Sequence, residues 1–132
     1  MKDLNKCMAE GLGTFYLCFA GIGSIYFVTM KGWGGDAAGL LIIALAHGLA
    51  LSIGVAVTGG ISGGHLNPAV TAGMWITKRI DKVLAAKYIG SQLIGAVVAA
   101  LLVRLIFQDA SPNATGIPLP EHLVTVKESL DG

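Results

Sequence analysis

Charge is scarce in this sequence. Lys, Arg, Asp and Glu make up 13% of its 132 residues, about half the share usual in a soluble domain. The charges that exist are clustered, so long uncharged runs separate them. A formal net charge of +1 leaves no basic footprint, and no nucleic-acid partner is expected. Cysteine is nearly absent: Cys7 and Cys18, both in the first apolar run, cannot build a disulfide framework. There is no nucleotide loop, no paired-carboxylate site and no nucleophile with its base, which argues against an enzyme. No cofactor or metal site is expected.

What the sequence has is apolar length. Mean hydropathy is +0.71, and the segments Cys7–Met30, Ala37–Thr58 and Val83–Phe107 are each long enough to span a bilayer. The first carries Glu10 and lacks the short apolar core and cleavage site of a secretory signal, so it reads as a retained helix. Trp33, in the turn Lys31 to Asp36, suits a membrane interface. Lys87 and Arg104 sit near the two ends of the third span, where they can snorkel. Six of the nine lysines and arginines (Lys2, Lys6, Lys78, Arg79, Lys82 and Lys87) fall on one side. The positive-inside rule then puts the N-terminus in the cytoplasm of a multi-pass membrane protein, with the plasma membrane as the expected site.

Between the second and third spans lies a stretch of another kind, Gly59 to Thr77. Gly59, Gly60, Gly63 and Gly64 open backbone angles closed to other residues. Asn67 followed by Pro68 reads as an N-cap and a first helical residue. A half-helix over Pro68–Thr77 is expected, roughly 15 Å long and about half the hydrocarbon thickness. The stretch starts and finishes on the side holding Lys78 and Arg79, so it cannot cross. It must be re-entrant: an extended loop from Gly59 to Leu66 reaches about 26 Å, enough to arrive at the midplane. Irregular backbone at that depth is tolerated only under cover of protein or along a wet cavity.

The flanking helices carry small residues for close contact. In the second span Ala44, Gly48, Ser52 and Ala56 form one stripe, and Ala46, Ala50 and Gly54 a second one roughly opposite. Neighbouring backbones can then approach on two faces.

Ser62-Gly-Gly-His-Leu-Asn-Pro-Ala-Val-Thr71 resembles the first Asn-Pro-Ala motif of the aquaporin and glycerol-facilitator family. Ala9 to Thr14 is similar to the start of that family's first helix, and Tyr88 to Ala96 to its third. The resemblance covers residues 6 to about 107 in order. It implies an all-α membrane fold: three transmembrane helices plus a re-entrant half-helix, the first half of an inverted-repeat bundle. Residues 1–107 would be the first repeat, and 108–132 an extracellular loop or linker to a second repeat. The chain contains no second Asn-Pro-Ala and no arginine following one. Besides the bilayer, the implied partners are water and small neutral solutes, the missing second half, and further copies in a homotetramer of complete channels.

On the residues alone, Asn67 is either a donor to passing water or a plain helix cap. The half-helix aims the positive end of its macrodipole at the same point, which repels cations. The resemblance favours the pore role, with Pro68 and Ala69 fixing the direction of Asn67. It also implies that Gly63, Gly64, His65 and Leu66 turn backbone carbonyls to the path. Glu10, Gln92 and Tyr88 become structural supports, Glu10 by holding the loop through hydrogen bonds. His47, twenty residues before Asn67, matches one wall of the family's outer selectivity constriction. Histidine there resembles the plant vacuolar type and an animal type that pass ammonia and peroxide besides water; tryptophan marks glycerol facilitators. Three functions follow for testing: a passive channel for water and small neutral solutes, a non-conducting half-length partner of complete channels, and a glycerol facilitator.

Overall fold

The computed structural model describes residues 2–107; the tail at 108–132, with its expected linker role, lies outside them. Four helices follow one another: α1 Asp3–Met30, α2 Ala37–Ser62, α3 Pro68–Ile76 and α4 Lys82–Ile106. No strand occurs among the described residues, so the fold is the all-α membrane class expected. At 1.5 Å per residue α1, α2 and α4 measure about 42, 39 and 37 Å, more than the roughly 30 Å of hydrocarbon they must cross. Their apolar windows have mean hydropathies of 1.5, 2.4 and 2.1. The nine residues of α3 give only about 13 Å.

α1 is the centre of the packing, lying against both α2 and α4, while α3 lies against α4. Two glycines make the closest approach possible. A side chain at Gly95 would run into the carbonyl oxygen of Gly11, and a Cβ at Gly11 would sit 3.1 Å from the carbonyl oxygen of Ser91. α1 and α4 therefore meet backbone to backbone, where dispersion replaces the hydrophobic effect that lipid cannot supply. Near their starts, in the first turn of α1 and the second of α4, Lys87 Nζ donates to Asp3 Oδ2 at 2.8 Å. That ion pair puts the beginnings of α1 and α4 at one end of the bundle.

α2 behaves differently on its two faces. Ala50, Gly54 and Thr58 are buried. Ala44, Gly48, Ser52 and Ala56 are exposed, and nothing lies within 4 Å of where a Cβ on Gly48 would be. Two close-packed faces were expected, and one is filled within the described residues.

The second departure concerns the end of α2. The helix runs on through Gly59, Gly60, Ile61 and Ser62, so the irregular segment is four residues, Gly63 to Leu66, and not eight. Glycine costs a helix about 1 kcal/mol per residue, but tertiary anchoring outweighs that here. The Gly63 N–H donates to Gly59 O at 3.1 Å and closes the last turn, and the Ser62 hydroxyl donates to Glu10 Oε1 at 2.6 Å. Gly63 and Gly64 then turn the chain with φ of 100° and 64°, left-handed values that glycine adopts without steric penalty. Asn67 caps α3 through its side chain, with Pro68 as the first helical residue.

Candidate functional site

Every N–H of the four-residue loop is held. Gly63 donates to Gly59 O and Gly64 to Ser62 Oγ at 3.2 Å. His65 N–H donates to Glu10 Oε1 at 3.0 Å and Leu66 N–H to Glu10 Oε2 at 2.7 Å. Gln92 Nε2 adds a fourth donor to Glu10, reaching Oε2 at 2.7 Å. Both oxygens of Glu10 thus act only as acceptors, from Ser62, His65, Leu66 and Gln92, and the residue is wholly buried. An acidic group inside an apolar helix is tolerated when its lone pairs are occupied in this way.

Side chains lock the same segment from behind. Leu66 has φ 48°, a left-handed conformation that costs a branched side chain about 1–2 kcal/mol. Its side chain is buried in the space that Gly13 of α1 and Gly54 of α2 leave open. The Tyr88 hydroxyl donates to Ser62 O at 2.9 Å, and its ring meets the His65 ring edge-on at 5.4 Å. Thr71 Oγ1 accepts from Gln92 Nε2 at 2.9 Å, so its own proton is available to His65 Nδ1 at 3.1 Å. Gln92 Oε1 is the one buried side-chain atom without a partner among the described residues. Ser62 and Thr71 were not assigned from sequence. Their signal was a hydroxyl three residues before His65 and another one turn after Asn67.

The acceptor side of the loop is the reverse of its donor side. Among the described residues the carbonyl oxygens of Gly63, Gly64, His65 and Leu66 accept no hydrogen bond, while all four N–H groups are engaged. At the end of this row stands Asn67, exposed. Its Oδ1 accepts from the Ala69 N–H at 2.8 Å, which commits the oxygen to the cap and leaves the amide Nδ2 free to donate. Pro68 is half-buried and Ala69 exposed in the first turn of α3. Measured along the helices from the Asp3–Lys87 end, Glu10, Gln92 and Asn67 all lie roughly 10–15 Å deep. The loop thus leaves four carbonyl acceptors without protein partners among the described residues, next to one free amide donor at the positive end of a helix.

His47 stands apart from this cluster. Its Nδ1 donates to Ile43 O at 2.9 Å, since a carbonyl can only accept. Its ring occupies the place a side chain on Gly21 would take. The residue is otherwise exposed on α2, and neither Asn67 nor Glu10 touches it through a hydrogen bond. Gly21 as the seat of this ring had no signal in the sequence beyond being one more glycine of α1.

Comparison with known proteins fits this geometry. A family model described as Major intrinsic protein matches residues 1–130. The chain is 41% identical over 132 residues to Aquaporin TIP2-1 of Zea mays, covering 98% of this chain and 50% of that one. It is 40% identical to Probable aquaporin TIP2-1 of Oryza sativa subsp. japonica with the same coverage, 98% and 50%. It is 44% identical to Glycerol uptake facilitator protein-like 6 of Lactiplantibacillus plantarum over 112 residues, 85% of this chain and 48% of that one. The chain therefore spans about half the length of these relatives. Their names are those of channels and a facilitator, not of enzymes.

Proposed function

The chain belongs to the major intrinsic protein family, and we propose that it forms one half of a passive transmembrane channel for water and small neutral solutes. The observation that carries this is the one-sided loop. Four N–H groups are pinned to the protein, the carbonyls of Gly63, Gly64, His65 and Leu66 accept no hydrogen bond among the described residues, and Asn67 with its free amide follows them in the chain. A water molecule donates to each carbonyl in turn, then accepts from Asn67 Nδ2. At that point its oxygen is bound to the amide, and the positive end of α3 disfavours a proton or metal cation. Nothing in such a path requires a moving part or an energy source.

The opposing wall belongs to a second, inverted half, for which the uncovered face of α2 is the natural seat. The N-terminus faces the cytoplasm, complete channels assemble as homotetramers, and the plasma membrane is the site. His47 lines the outer constriction, where its polar ring admits ammonia and hydrogen peroxide and disfavours glycerol. The test is stopped-flow swelling of proteoliposomes with water and with glycerol. The complete protein is expected to raise water permeability well above that of empty liposomes, with little glycerol flux. Residues 1–132 alone are expected to match empty liposomes. A complete protein that conducts neither solute would overturn the channel reading and favour a non-conducting partner.

A further inference from the structure

The turn joining α3 to α4 holds the densest positive charge among the described residues. Lys78, Arg79 and Lys82, with Trp75, Ile80 and Asp81, line an open polar depression of about 380 Å³. Among the described residues the only ion pair is Lys87 with Asp3, so none of these three cations is neutralised by a salt bridge. The one acid present, Asp81, is turned to α4, whose Val83 and Leu84 N–H groups both donate to its Oδ1. Three cations against one carboxylate leave the depression with two positive charges.

A backbone feature points the same way. The Arg79 N–H donates to Met74 O at 2.8 Å and the Lys78 N–H to Trp75 O at 2.9 Å, the paired bonds that close a helix with a left-handed residue. Glycine is usual at that position. Here it is Lys78, with φ 59°, a conformation that carries a steric penalty for any side chain. The helix end would be more stable with glycine; the residue there is instead a cation, at the edge of the depression. Backbone strain at a charged position is a feature that ligand-binding sites share.

The surroundings identify the ligand. Trp75 and Ile76, on the last turn of α3, are 43% and 72% exposed. The turn lies at the end of the bundle that the Asp3–Lys87 pair marks, where the spans leave the apolar layer. An indole, an aliphatic side chain and three cations together match the boundary between acyl chains and headgroups. We propose that Lys78, Arg79 and Lys82 form a binding site for the phosphate headgroup of an anionic phospholipid, with its acyl chains beside Trp75 and Ile76. A free phosphate ion would use the cations and leave the apolar flank without a role. The site does not depend on the channel reading.

Native mass spectrometry of the complete protein in detergent tests this, with phosphatidylglycerol, phosphatidylcholine or soluble glycerol phosphate added at equal concentration. Two net charges worth about fivefold each predict roughly 25-fold tighter binding of phosphatidylglycerol than of phosphatidylcholine. Lys78→Ala, Arg79→Ala and Lys82→Ala should each weaken it about fivefold, and Lys31→Ala at the far end of α1 should not. Lys78→Gly separates binding from folding: it should raise the melting temperature while losing the same fivefold. Equal retention of the two lipids, or full affinity in Lys78→Gly, overturns the proposal. Glycerol phosphate binding as tightly as the lipid also overturns it, in favour of a soluble phosphate.

Discussion

The seat of the loop and the outer face of α2 are built from the same small residues with opposite results. Around Glu10, glycines at positions 13 and 54 admit Leu66, and the polar groups behind the loop close on one another until Glu10, Thr71 and Gln92 are wholly buried. On α2 only 11% of the apolar window is buried, and Gly48 faces empty space. Small residues do not create contact; they permit it where a partner segment exists. The loop seat finds its partners within α1, α2, α3 and α4 for every buried side-chain polar atom but Gln92 Oε1. The α2 face is left uncovered among the described residues.

The largest effect is expected where that closure is tightest. Glu10→Ala removes the acceptor of four donors in a dry interior; Ser62 can still reach Thr58 O and Gln92 still holds Thr71, but the N–H groups of His65 and Leu66 are left unsatisfied at about 1–3 kcal/mol each. Folded yield and the melting temperature in detergent should both drop sharply. An unchanged melting curve would mean that the loop is held by packing of Leu66 and Tyr88 alone, and the contrast with the α2 face would lose its polar half.

Asn67→Asp comes next. Aspartate can still accept from the Ala69 N–H, so the cap and the melting temperature should persist. The free donor is replaced by an anion, and water flux through the complete channel should fall by about tenfold, one hydrogen bond's worth, with cation leak rising. Parental values of both fluxes would reduce Asn67 to a cap.

On the α2 side effects should be smaller and of another kind. His47→Phe loses the bond to Ile43 O and adds an apolar ring over Gly21, with a stability change below about 1.5 kcal/mol. Passage of ammonia and peroxide should fall more than passage of water in proteoliposome assays. An equal fall of all three would make His47 a packing residue. The mildest change is Gly48→Ala. In residues 1–132 alone it should be neutral or stabilise by up to about 1 kcal/mol through helix propensity. In the complete protein a helix seated on that face would turn it into a loss of about 1–3 kcal/mol from overpacking. Comparing the two thermal melts decides whether the face is covered.

Much of this architecture was readable without coordinates. Apolar run length dictated three spans, because the bilayer admits few alternatives to a continuous helix. Asn67-Pro68 marked the start of the half-helix, because capping and the missing proline N–H are local chemistry. The retained Glu10 announced a polar obligation inside an apolar run. Folding in three dimensions decided the rest. Gly59 and Gly60 look like loop residues by propensity, yet α2 continues through them since Ser62 is anchored on Glu10, 52 positions away. Which of two equivalent small-residue stripes of α2 is buried could not follow from spacing, for periodicity gives faces and not partners. Nor could sequence disclose that Leu66 and Lys78 turn left-handed, or that Thr71 bridges Gln92 and His65. Those arrangements rest on contacts between segments far apart along the chain or on the way a helix end closes, and local propensity carries no record of either.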